Sequence, residues 1–231
     1  MKNYLIIGGS SGIGKSIVNK LSELGHAVYA TYNKTPIQER DWIFTKQMNV
    51  LDPIVNLDFL PPTLDGFVYC PGSIQLRPFK RISPEAFVKD FELQVLGGIK
   101  ILQQILPLLK SGNSSSVVFF STIAVQKGFN FHTQVATSKG AIEGLTRSLA
   151  AELAPEIRVN AIAPSITNTP LASNLLSSEE KMKANANRHP LKQIGTPDNI
   201  ADAAIYLLTE KSSWVTGQIL HVDGGMSSIN S

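Results

Sequence analysis

A chain of 231 residues, 43% hydrophobic and 17% charged, has the apolar material for one sizeable core and is expected to form a single domain over residues 1–231. Its 21 Lys and Arg residues leave a net charge of +3 but are scattered, with no basic run longer than two, so nucleic acid is not an expected partner. No apolar stretch approaches the roughly 18 residues of a membrane span, glycines cut short the apolar run near Met1, and Cys70 is the single cysteine, so a cytoplasmic protein without an internal disulfide is expected.

Strand-like and helix-like segments alternate along the chain. "NYLIIGG" is a short apolar run ending in glycine, the pattern of a strand buried on both faces. Ile13, Ile17, Leu21 and Leu24 then recur at helical spacing, and Gly25 closes the helix. "HAVYATY", "WIFT" and "LDGFVYC" read as the second, third and fourth strands. The prolines in the connections among them, Pro36, Pro53, Pro61 and Pro62, argue against helices there. Phe87, Phe91, Val95, Ile99, Leu102 and Leu106 predict the buried stripe of one long helix stopping near Gly112. "SSVVFFSTI" is a fifth strand. Ala141, Leu145, Leu149 and Leu153 mark the next helix, which Pro155 ends, and "HTQVATSK" stands just ahead of that pattern. "IRVNAIAP" is a sixth strand. Residues 168–192, with "SNLLSSEEKMKANANRHP", read as one or two helices outside the sheet, a lid. Thr196 caps a final helix with Pro197 at its first position, and "QILHVDGG" is a seventh strand. The predicted fold is α/β, a doubly wound, mainly parallel, seven-stranded sheet of Rossmann type with helices on both faces.

"GGSSGIGKS" joins the first strand to the first helix. Gly8, Gly12 and Gly14 permit a tight turn. With Ser10, Ser11 and Ile13 they present bare backbone amides and the positive end of a helix dipole to a pyrophosphate. The loop's place after the first strand is where dinucleotide sites lie. At the end of the second strand stand Tyr32, Asn33 and Lys34, with no carboxylate to receive a ribose 2′-hydroxyl. An acid there would repel a 2′-phosphate, whereas Lys34 and the Asn33 amide can hold one, so NADP(H) is expected over NAD(H).

Three stretches, "GGSSGIG", "SKGAIEGLTRSLAAELAPEIRVNAIAPS" and "TGQILHVDGG", resemble the short-chain dehydrogenase/reductase family, and the likeness covers almost the whole chain. The resemblance implies a carbonyl/alcohol oxidoreductase acting on a small molecule and assembling as a homodimer or homotetramer. It implies that Lys139 holds the nicotinamide ribose and that Thr122, with Ser121 beside it, takes the place of the substrate-binding serine. Gln94 falls at the position of the family's asparagine, and Asn49 and Val50 at the adenine. Gly72 is what remains of the "NNAG" wall, here "YCPG", and Pro164, Thr167 and Thr169 fall beside the nicotinamide carboxamide. Departures are plain: Ile7 and Ser165 replace a usual threonine and a usual glycine, and Val135 stands where the proton-donating tyrosine belongs.

Valine has no ionisable proton. Three readings follow: a reductase or dehydrogenase with another acid, a non-redox isomerase, dehydratase or cyclase, and a nucleotide-binding sensor without catalysis. For the first, His132, Tyr69 or a water held by Lys139 and Thr122 are the candidate donors. No metal site is expected.

Overall fold

The computed structural model describes residues 1–38 and 40–229. In chain order the elements are β1 (Asn3–Ile7), α1 (Gly12–Glu23), β2 (Ala27–Tyr32), β3 (Ile43–Gln47), β4 (Gly66–Tyr69), α2 (Pro84–Phe91), α3 (Gly97–Lys110), β5 (Ser115–Phe120), α4 (Thr133–Leu153), β6 (Ile157–Pro164), α5 (Glu179–Asn187), α6 (Pro197–Leu208) and β7 (Ile219–Val222). The seven strands form one sheet in the order β3-β2-β1-β4-β5-β6-β7, and every pairing is parallel. The predicted doubly wound α/β fold is the observed one.

Strand side chains alternate between the two faces, so each strand supplies two cores. Leu5, Ile7, Phe67, Phe119 and Val159 meet Ile101, Ile105 and Leu109 of α3 and Ile142 and Leu153 of α4. Their neighbours Tyr4, Ile6, Val68, Val118 and Ile162 meet Ile17 and Leu21 of α1 and Ile200 and Leu207 of α6. Burial on both faces explains why these strands read as unbroken apolar runs. Helix α6 begins as its sequence predicts: the Thr196 hydroxyl accepts from the Asn199 amide, the Asn199 side chain accepts from Thr196 N–H, and Pro197 follows the cap. Between β2 and β4 no helix occurs among the described residues.

Two helices differ from expectation. The long helix predicted from Phe87 to Leu106 is interrupted by a π-helical turn, Glu92–Leu96, between α2 and α3. The wider turn rotates the face that follows. Val95, Ile101, Leu102, Ile105 and Leu109 are buried, while Phe87, Phe91, Ile99 and Leu106 are half-buried. Helix α4 starts at Thr133, so Val135 and Lys139 lie within its first two turns rather than ahead of it. Its fully buried side includes Val135, Ser138, Lys139, Ile142 and Thr146, and Ala141, Leu145 and Leu149 pack at the margin.

The segment between β6 and α6 forms a 3₁₀ stretch, Pro170–Leu176, and then α5. Among the described residues no helix is long and apolar enough to cross a membrane.

Candidate active site

The chain runs outward through β1, β2 and β3, then returns to place β4 on the other side of β1. Loops after β1 and β4 diverge at such a reversal and leave a crevice at the carboxyl ends of the strands. A cleft of about 780 Å³ opens there, bordered by the loops after β1, β4, β5 and β6, by the start of α4 and by α5.

At one end, Gly8, Ser10, Ser11, Gly12, Ile13 and Gly14 line it. Gly8 has φ +78°, and a Cβ on Gly14 would sit 2.2 Å from the Gly8 carbonyl oxygen, so α1 can pack on the turn only without a side chain there. Ser11 is in extended conformation and caps α1 with no side-chain hydrogen bond, which leaves first-turn amides available, and that turn carries no acidic residue. Thr169 lies over Gly12 from the β6 side, 3.3 Å from where a Cβ would be. Tyr32, Asn33 and Lys34 continue the lining, the last two exposed. Asn49 and Val50 are also present, but the Asn49 side chain is committed to its own turn, donating to Asp52 and accepting from Leu51 N–H. Thr167 is buried, and its hydroxyl donates to the Ser165 carbonyl.

At the other end, β5 and β6 deliver Thr122 and Pro164 side by side, with Ile123 N–H donating to the Pro164 carbonyl. Ser121 and Thr122 divide their work. The Ser121 hydroxyl donates to Glu143 Oε1 at 2.8 Å, whereas Thr122 Oγ1 accepts only from the Ala124 amide at 3.3 Å, so its proton is free to meet a ligand.

Lys139 is 9% exposed, and burial pulls its ammonium down to about 8 from the ordinary 10.5, opposed by the charge of Asp90. Gln94, from the π-helical turn, donates to Asp90 Oδ2 at 2.7 Å and leaves its own Oε1 buried without a partner. That oxygen lies 3.3 Å, and Lys139 Nζ 3.9 Å, from the point where a Cβ on Gly72 would be. Gly72 therefore opens the space in which an acceptor and an ammonium both look into the cleft. Asp90 is itself buried and accepts from Ser73, Gln94 and Ser138, an ionic support the sequence reading did not single out.

Val135 lines the same end, one helical turn before Lys139. His132 is there too, half-buried at the N-terminus of α4, with Nδ1 2.8 Å from the Asn130 carbonyl and Nε2 uncommitted. Tyr69 is not. Its hydroxyl donates to the Leu93 carbonyl at 2.6 Å and lies against Gly97 on the α3 face, so the expectation of Tyr69 as a donor is corrected by the alternation of β4. Burial also pushes the Cys70 thiol up to about 12.

Sequence reading missed Arg188, on the cleft wall with its guanidinium 5.7 Å from the Phe129 ring centre, and His189, whose Nε2 lies 2.8 Å from the Ser165 hydroxyl. Among the described residues no group of three or more His, Cys, Asp or Glu could hold a metal ion.

A parallel doubly wound sheet with a glycine turn at its strand-order reversal defines a Rossmann-type nucleotide-binding protein. The chain belongs to the short-chain dehydrogenase/reductase family: residues 58–227 match the family described as enoyl-(acyl carrier protein) reductase. It is 31% identical to a tropinone reductase homologue of Arabidopsis thaliana, over 97% of this chain and 92% of that protein. It is 30% identical to L-xylulose reductase of Bos taurus, over 97% and 96% respectively. The solved structure of ElxO with NADP bound superposes with a TM-score of 0.88 at 26% identity, covering 99% of this chain and 100% of that one.

Proposed function

We propose that the protein is an NADP(H)-dependent oxidoreductase that interconverts a carbonyl compound and its alcohol, with a proton source other than the side chain at position 135. The observation that carries this reading is the cleft's continuity and its charge. One space runs from the glycine turn to Thr122 and Lys139 and is lined by Lys34, Lys139 and Arg188, with no Asp or Glu among the described residues. Such a surface favours a polyanion along its length, and the missing acid after β2 favours one with a 2′-phosphate.

The residues fit a nicotinamide dinucleotide. The first-turn amides of α1 and the space kept by Gly14 suit the pyrophosphate, Lys34 and Asn33 the 2′-phosphate, and Val50 the adenine. Pro164, Thr167 and Thr169 suit the carboxamide end, and Lys139 the adjoining ribose. When bound, the reduced nicotinamide supplies a hydride. Thr122 orients the substrate oxygen with its free hydroxyl, and the Lys139 ammonium favours negative charge developing there. Ile74, Leu76, Leu171 and Leu175 give an apolar wall against which a small organic substrate can exclude water. The segment 168–192 acts as the lid, and association as a homodimer or homotetramer is expected from the family and checked by light scattering.

Fluorescence titration with NADPH and NADH, followed by NADPH oxidation against ketones, quinones and aldehydes, tests the reading. Tight NADPH binding with turnover of one carbonyl class supports it; failure to bind either dinucleotide removes it. Val135 supports a second reading, a nucleotide sensor without turnover, because an apolar side chain occupies the place of an acid. Binding without oxidation of any carbonyl selects that one.

A further inference from the structure

The cleft holds a hydrogen-bonded pair outside the machinery described above. His189 is 2% exposed, and its Nδ1 lies 2.8 Å from the backbone carbonyl of Asn185. A carbonyl oxygen can only accept, so Nδ1 carries the proton and the lone pair of neutral His189 is on Nε2. Nε2 lies 2.8 Å from Ser165 Oγ, so the serine hydroxyl donates to it. Met226 Sδ, 3.8 Å away, is the weak alternative acceptor. The result is a directional chain from the cleft through Ser165 to His189 and on to α5.

Its place is where a donor is needed. Phe120 pairs with Ile162 in the parallel register, and Ile123 N–H donates to the Pro164 carbonyl, so Thr122 and Ser165 lie on adjacent strand ends. Neighbouring strands are about 4.8 Å apart, and both Thr122 and Ser165 line the cleft at these ends. Ser165 is half-buried, with its amide donating to Val222 and its carbonyl accepting from Thr167.

The other proton-bearing groups of the cleft suit the task less well. Cys70 is half-buried and, among the described residues, its thiol has no hydrogen-bonded imidazole behind it to return a proton, as Ser165 has in His189. His132 stands at the N-cap of α4 with Nδ1 on the Asn130 carbonyl and meets no hydroxyl with Nε2 among the described residues, whereas His189 bonds a last-turn carbonyl of α5 with Nδ1 and the Ser165 hydroxyl with Nε2.

We propose that Ser165 is the hydroxyl that protonates the substrate oxygen, and that His189, acting through Ser165, is its proton reservoir. This rests on the carbonyl-reductase reading. As the carbonyl carbon gains a hydride from a reduced nicotinamide dinucleotide, the C=O π pair moves to oxygen and takes the Ser165 proton. The Oγ–H bond breaks as the Nε2–H of the imidazolium passes its proton to Oγ. His189 ends neutral and regains a proton from solvent, and alcohol oxidation runs the same transfers backwards. Ser165 is the catalytic residue; His189 is the positioning and charging residue behind it.

The test uses the full chain saturated with NADPH and whichever carbonyl it reduces. Ser165→Gly and His189→Gln are expected to lower single-turnover hydride transfer by about 10²–10⁴-fold, the range of general acid help, with NADPH affinity within about two-fold of the parent. His189→Ala is expected to regain rate with added imidazole, which a merely structural histidine would not. Val135→Tyr in the Ser165→Gly background is expected to restore turnover that no longer depends on His189. Nuclear magnetic resonance gives a readout apart from turnover: the ¹⁵N resonance of His189 Nε2 should move when the alcohol product binds, and not in Ser165→Ala. Unchanged rates in both single variants overturn the proposal while leaving the reductase reading intact. So does a loss confined to His132→Ala, or a loss of rate that tracks loss of NADPH binding. A parent that binds NADPH but reduces no carbonyl removes the reductase reading, and this proposal with it.

Discussion

The two ends of the cleft are built from different material. At the glycine turn, the groups that face a ligand are backbone amides, and what matters in the sequence is the lack of side chains at Gly8 and Gly14. At the far end the groups are side chains: Thr122, Gln94, Lys139, Ser165 and His189, brought in by five separate segments. A site made of backbone has few ways to vary while it still works. A site made of side chains can exchange one group for another, and an apolar Val135 beside Lys139 leaves the sheet beneath it undisturbed. The contrast teaches that fold and nucleotide site can stay fixed while the chemistry beside them changes.

The most damaging substitution should therefore be at the backbone end. Gly14→Val drives a side chain into the Gly8 carbonyl, and neither group can move without shifting α1 off β1. Nucleotide binding should fall below detection in a fluorescence titration, with about 2–3 kcal/mol lost in a urea melt, as for other overpacked positions. Retained binding would break the contrast.

Lys139→Met tests the side-chain end. Removing the ammonium should lower kcat/KM by about 10³-fold, a barrier increase near 4 kcal/mol, while the urea midpoint without cofactor holds or rises, because a buried charge has gone. A matching fall in stability would make Lys139 part of the scaffold instead. Smaller again is Lys34→Glu. It should weaken NADPH about ten-fold, near 1.4 kcal/mol, and leave NADH almost unchanged, because Lys34 is exposed on the cleft lining where the proposed reading puts the 2′-phosphate. Equal weakening of both dinucleotides would argue against NADP preference.

The smallest effect is on stability against pH. Lys139 titrates at about 8 in the fold and near 10.5 when unfolded, so above pH 8 the unfolded chain holds the extra proton and folding becomes more favourable as pH rises. Cys70 acts the other way from its ordinary 9.0 upward, because the folded thiol keeps its proton to about 12 while the unfolded one loses it. Denaturation of the cofactor-free protein should therefore show a gain of about 1 kcal/mol between pH 8 and 9, then a plateau. In Cys70→Ala the rise should continue towards pH 10, where the buried hydroxyl of Tyr69 begins to oppose it in turn.

Much of the fold was legible because parallel strands buried on both faces read as apolar runs, α1 is amphipathic and closed by Gly25, and α6 carries its own start signal in Thr196 and Pro197. The glycine turn was legible for the same reason: its function is local. The π-helical turn was not, since its wider winding has no residue code, and beyond Val95 the predicted stripe caught Leu102 but otherwise ran along the margin of the buried face, missing Ile101, Ile105 and Leu109. Asp90 looked like any helix carboxylate until Ser73, Gln94 and Ser138 closed around it. Ser165 and His189 are 24 residues apart, one at a strand end and the other just after α5, and no periodicity joins them.

That π-helical turn has a further consequence for anyone shortening this chain. A π-helical turn takes in one residue more than an α-helical turn, so deleting a single residue within 92–96 would let the helix run on as plain α while Ile101, Ile105 and Leu109 keep their place in the core. The loss would fall on the turn itself, where Gln94 reaches Asp90 and borders Gly72. One surplus residue thus works as slack in the winding, shaping the floor of the cleft without pulling α3 off the sheet.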